Sequence, residues 1–152
     1  MAKWMSKISW GKLFVSGFVY TLISLVVRSV ESYLTMDYYK MPQYAGTWSK
    51  LMMPTMGPPP PAFFLVSLIL TFTSGICIGL VYYYVKDMLP KKLWQRVFFF
   101  ADLLIGTSFI FFTLPVYLLF NVPMTLLFSW FVSSFIILTA GSYVYVSVLG
   151  MK

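Results

Sequence analysis

Residues 63–96 read FFLVSLILTFTSGICIGLVYYYVKDMLPKKLWQR, and this stretch decides the fold. Its first 23 residues carry no charge, whereas four of the next eleven are Lys or Arg (Lys86, Lys91, Lys92, Arg96). About 20 apolar residues rising 1.5 Å each cross the roughly 30 Å of hydrocarbon in a bilayer. An apolar run of that length closed by tyrosines (Tyr82, Tyr83, Tyr84) and a basic loop reads as a transmembrane helix with its interfacial belt and cytoplasmic anchor.

Working outward, three more runs have the same character. They predict spans over about 13–33, 62–85, 97–120 and 124–149, joined by a long loop over about 34–61, the basic loop, and a tight turn at Asn121, Val122 and Pro123. A signal peptide competes for the first run, because Lys3, Lys7 and Lys12 precede it. No A-x-A-like site follows, and Arg28 and Glu31 stand where cleavage would fall, so the run is expected to be a retained span. Eight of the eleven basic residues fall on one side (Lys3, Lys7, Lys12, Lys86, Lys91, Lys92, Arg96, Lys152), and Arg28, Lys40 and Lys50 fall on the other. The positive-inside rule then places both termini in the cytoplasm and the 34–61 loop outside. The expectation is an all-α integral membrane protein: one domain, four helices in an antiparallel bundle, in a cytoplasmic membrane of prokaryotic type.

Composition agrees. The chain of 152 residues is 60% hydrophobic and 10% charged, against about 25% charged in soluble domains. A net charge of +7 invites a nucleic-acid reading, but the basic residues sit in short connections and form no continuous face, so no nucleic-acid partner is expected. There is no histidine, which removes His-ligated haem, His-containing zinc sites and a Ser-His-Asp triad. Cys77 is the only cysteine and can form no internal disulfide. The four carboxylates Glu31, Asp37, Asp87 and Asp102 fall in pairs on opposite sides of the expected topology, which argues against an enzyme. No cofactor and no metal are expected.

Two kinds of pattern mark the spans. Ser67, Thr71, Gly75 and Gly79 recur every four residues, as do Thr125, Ser129 and Ser133, with Ile137 and Gly141 continuing the second row. Small residues at that spacing let a second backbone approach, within the bundle or from another copy or subunit. In the first span Gly17, Thr21, Ser24, Arg28 and Glu31 form a polar stripe on which Arg28 and Glu31, three apart, can pair. In the third, Asp102, Gly106 and Thr113 share a face at about 100° per residue, and Pro115 predicts a break. Ionisable residues inside a membrane cost about 2.5–3.5 kcal/mol each at mid-depth and mark functional sites. Arg28, Glu31, Asp102 and Thr113 are therefore the candidate ligand-binding or coupling residues. For Asp102 the competing expectation is a rim ion pair with Lys91, Lys92 or Arg96.

The loop ends in LMMPTMGPPPPAFF (51–64). Its prolines cannot lie inside a helix and predict a stiff lead-in to the second span. A ligand lid ranks second. Cu(I) ranks third: Met36, Met41, Met52, Met53 and Met56 supply five thioethers, the Met53-Pro-Thr-Met56 spacing resembles the methionine motifs of Cu(I)-binding proteins, and soft sulfur suits Cu(I), but no His or Cys partners them. Tyr38, Tyr39, Tyr44 and Trp48 are expected at the outer interface. These features point first to a non-enzymatic accessory or assembly subunit, in contact with lipid and with other membrane subunits or copies of itself. Second comes a small transporter, channel or apolar-ligand binder with a cavity between spans one and three, lined by Ser24, Arg28, Asp102 and Thr113.

Overall fold

The computed structural model describes residues 8–54 and 58–150. Lys3, Lys7 and Lys152 of the basic terminal segments and Met56 of the methionine loop lie outside them.

The described residues contain five α-helices and no strand: α1 (Trp10–Tyr39), α2 (Pro61–Val85), α3 (Leu93–Ser108), α4 (Leu114–Leu119) and α5 (Met124–Gly150). A 3₁₀ turn, Pro42–Thr47, follows α1. One π turn, Phe109–Thr113, joins α3 to α4, so that Leu93–Leu119 forms one span. Four helical segments are thus long and apolar enough to cross a membrane.

Several boundaries differ from the expectation: α1 begins at Trp10 and the third span at Leu93, ahead of 13 and 97, and three further differences have a local reason. α1 runs six residues past 33, because helix continuation does not require apolar side chains. Thr35 bonds back to the Glu31 carbonyl at 2.8 Å, and Tyr39 is tied to Trp130 at 2.8 Å. The connecting segment therefore begins at Lys40 rather than at 34. α2 begins at Pro61, one residue early: Pro60 is extended (φ −71°, ψ 158°), and a proline at the first helical position forfeits only an amide that would be unpaired anyway. Pro115 does not interrupt the third span. It removes the amide that would bond to Phe111, and the Leu114 amide reaches back five residues to the Phe109 carbonyl, so the helix widens into the π turn and goes on.

α1 and α5 form the axis of the bundle. α1 packs on α2 and α5, whereas α3 packs on α5 and makes no comparable packing with α1 or α2. At one end the fit is tight. Gly75 lies against the Gly17 backbone of α1, 3.1 Å from where a Cβ would stand, and Gly79 admits the Leu13 and Tyr145 side chains. Tyr82, Phe100 and Tyr145 are fully buried there, with Tyr82 edge-on to Phe100 at 5.2 Å and Phe100 edge-on to Tyr145 at 6.4 Å. The Tyr145 hydroxyl donates to the Gly75 carbonyl at 2.7 Å. The Ser9 amide donates to the Tyr83 hydroxyl, bringing the start of α1 to the end of α2. At the other end Tyr39, Trp48 and Trp130 form an aromatic cluster, with ring centroids 4.9–6.5 Å apart. Large apolar side chains elsewhere face outward (Phe18, Leu70, Phe99, Phe111, Leu118 and many others), an arrangement suited to a hydrocarbon solvent.

Candidate functional site

Between the two ends the bundle is not filled. Arg28 stands on α1 about 27 Å along the helix from Trp10 and about 16 Å short of Tyr39, at the 1.5 Å rise per residue. Its guanidinium donates to the Ser134 hydroxyl of α5 at 3.0 Å. One Nη approaches Glu31 Oε2 at 4.0 Å, the outer limit of an ion pair and the only pair of that kind among the described residues. The Arg28 side chain stays 43% exposed, whereas Glu31 is 7% exposed. The expected i, i+3 neighbours do meet, then, but the stronger contacts of each go elsewhere.

Glu31 is held by hydroxyls. Its Oε1 lies 2.9 Å from Thr35 Oγ1 and 3.0 Å from Ser129 Oγ of α5. With hydroxyls from two helices at one carboxylate oxygen, the contact of the other with Arg28 is long, and the guanidinium keeps donors to spare. A guanidinium has five N–H donors, and Ser134 and Glu31 occupy only part of them.

Two cavities meet at Arg28. One, of about 480 Å³, lies among all four spans and is lined by Tyr20, Ser24 and Arg28 of α1, Leu70, Thr71, Ser74 and Ile78 of α2, Leu104, Thr107, Ser108 and Phe112 of the third span, and Ser134, Ile137 and Leu138 of α5. The other, of about 400 Å³, lies between α1 and α2 under the connecting segment; Ser24, Ser29, Glu31, Ser32, Ser67 and Thr71 line it, with Met52, Pro59, Phe63 and Phe64 at its rim. Ser24, Arg28 and Thr71 belong to both. Ser24 is 6% exposed, and its hydroxyl interacts with the Tyr20 hydroxyl one turn before it on α1. A shallower groove on the α1–α5 surface is walled by Val26, Val30, Leu34 and Val132 and reaches Glu31 from outside.

The structure sorts the sequence candidates into three groups. Arg28, Glu31, Ser67 and Thr71 come together around the cavities, and Ser129 joins them through its hydrogen bond to Glu31 while lining the surface groove. Gly75 and Gly79 belong to the packed end, so the every-four row on α2 changes role halfway: its hydroxyls face space, whereas Gly75 faces the Gly17 backbone and Gly79 the Leu13 and Tyr145 side chains. Ser133, 5% exposed, lines the surface groove. The third group is displaced. Asp102 is exposed on the outward face of α3, and a Cβ at Gly106 on the same face would meet nothing within 4 Å. Thr113 lies in the π turn and lines neither cavity. The expected cavity lining of Asp102 and Thr113 is thus corrected to Thr107, Ser108 and Phe112, which face the other way round the helix. The expected rim pair is corrected as well: among the described residues Asp102 makes no ion pair, and Arg96 donates to the Pro90 carbonyl at 2.8 Å.

Ser134, the direct partner of Arg28, carried no signal of its own beside the Ser129–Ser133 row. Ser74 did, since Ser67, Thr71 and Ser74 continue a 4, 3 spacing along one face of α2. No protein-family model, curated protein or solved structure matches this chain.

Proposed function

We propose that this chain is a non-enzymatic, multi-pass membrane protein that binds a ligand bearing a negative group inside its bundle, at Arg28. In this reading the four spans run antiparallel through a prokaryotic cytoplasmic membrane, with both termini inside and the 40–60 segment outside. The observation that carries it is the Arg28 guanidinium, joined by one hydrogen bond to Ser134 and opening onto two hydroxyl-lined cavities. Intramembrane cations face cavities or partners because hydrocarbon cannot solvate them. Combined volumes of this order suit small-molecule sites, which run to about 300–1,000 Å³. The hydroxyls supply orientation without charge, and the rim residues Met52 and Pro59 supply a lid. Carriage or transport of the bound ligand is the role such a site serves.

The test is the anionic small-molecule and lipid content of protein purified by mild extraction. Wild type retains a stoichiometric anionic species and Arg28→Gln loses it; equal content in both would remove Arg28 from the account.

A second reading, an accessory or assembly subunit, is favoured by Asp102. A carboxylate without an ion pair among the described residues, on the outward face of an apolar span, is costly against lipid, and a neighbouring subunit or second copy supplying a donor relieves that cost. It predicts a native mass above that of the monomer, which Asp102→Asn lowers; a monomeric wild type contradicts it.

A further inference from the structure

The walls around Arg28 limit how an anion reaches it. α2 and the third span form opposite walls of the larger cavity, yet they are not packed along one another. They meet at Tyr82 and Phe100, in the packed end. Beyond that closure Leu70 and Ser74 stand on one edge of a gap and Thr107 and Phe112 on the other. The Ser74 hydroxyl donates to the Leu70 carbonyl at 2.8 Å and the Thr107 hydroxyl to the Leu103 carbonyl at 2.7 Å, so each edge is tied to its own helix and neither to the other. Both residues are exposed, and Leu70 is 61% exposed. In a bilayer this gap opens sideways onto acyl chains. From the aqueous side, by contrast, the route to Arg28 runs beneath Met52 and Pro59.

The cavity also sets a single charge beside apolar wall. Arg28 is its only charged lining residue, hydroxyls such as Ser24, Ser134, Ser74 and Thr107 are spread around it, and Ile78, Leu104 and Leu138 line the same space. Charge at one place and hydrocarbon beside it is the chemistry of an amphiphile. We infer that the ligand is an anionic membrane lipid: its headgroup binds at Arg28, with the Ser24 hydroxyl lining the same space, and its acyl chain leaves through the gap between Ser74 and Thr107. A water-soluble anion shares the headgroup chemistry but would not need the gap. The inference rests on the Arg28 site proposed above, and its test separates the two.

Full-length protein is incubated with phosphatidylglycerol, phosphatidylcholine or soluble glycerol phosphate, and adducts are read by native mass spectrometry. Wild type is expected to hold one phosphatidylglycerol about ten-fold more strongly than phosphatidylcholine, and Arg28→Gln to lose about ten-fold, the effect of one charge-assisted hydrogen bond. Ser74→Trp, or Thr107→Trp from the opposite edge, fills the gap at an exposed position and is expected to reduce phosphatidylglycerol binding while leaving thermal stability unchanged. Glycerol phosphate held as strongly as phosphatidylglycerol, with both tryptophan variants silent, overturns the lipid and its sideways route while the anion site stands. Phosphatidylglycerol held equally by wild type and Arg28→Gln overturns the site itself.

Discussion

The two halves of this bundle use small and hydroxyl residues in opposite ways. In the half containing Tyr82, Phe100 and Tyr145, glycines bring backbones together and aromatic rings fill what remains. In the half containing Arg28, serines and threonines at the same helical spacing are not covered by a neighbour, and cavities remain. Hydrocarbon exerts little force to press apolar helices together, so packing depends on how closely backbones can approach. Gly75 and Gly79 permit that approach; Ser67 and Thr71, two turns further along the same face of α2, do not. One row of small residues therefore serves as a seam at one end and as a site wall at the other.

The largest effect that would break this contrast is expected at Gly79. Gly79→Leu drives a side chain into Leu13 and Tyr145 and should cost about 1–3 kcal/mol, the usual range for overpacking. Gly106→Leu, which enters open space on α3, should cost nothing measurable. Thermal unfolding in detergent compares the pair, and equal losses would remove the distinction between seam and surface. A smaller effect is expected at Tyr145→Phe, which deletes the bond to the Gly75 carbonyl: about 0.6 kcal/mol, typical of interhelical hydrogen bonds in membranes. Ligand binding in the other half should be unchanged. Asp102→Asn should be smallest of all, leaving the stability and ligand content of the isolated protein at wild-type values. Loss of ligand in that variant would restore Asp102 to the cavity and contradict the outward face seen for α3.

Much of the architecture was legible because it rests on strong, local signals. Uncharged runs of span length, prolines before 61 and the tight Asn121–Pro123 link fix where helices begin and end to within a few residues. The orientation of each helix was far less legible. A helix apolar on every side carries no contrast between an inward and an outward face. Polarity is the remaining guide, and it holds on α1, where Ser24, Arg28 and Glu31 line the cavities. It failed on α3, where Asp102 and Gly106 share a face that points away from the bundle. The π turn adds to the failure: one extra residue in a turn shifts everything beyond Phe109 by roughly 100°, so an angle carried from Asp102 to Thr113 no longer holds. Ser134 was invisible for another reason. It matters only because α5 happens to present it to Arg28, and nothing within α5 encodes that.

The central claim, that Arg28 and its fixed, distant carboxylate form an anion site, is tested most directly by paired charge changes. Binding of phosphatidylglycerol to wild type, Arg28→Gln and Glu31→Gln should be measured in one titration series. Glu31→Gln keeps an acceptor for Ser129 and Thr35 but removes the competing charge 4.0 Å from Arg28. It should strengthen binding roughly five-fold, the effect of about 1 kcal/mol of relieved repulsion, while Arg28→Gln weakens it. Opposite signs in the two variants are the result the account predicts. Equal affinity in all three proteins, or weakening in both variants alike, would contradict it.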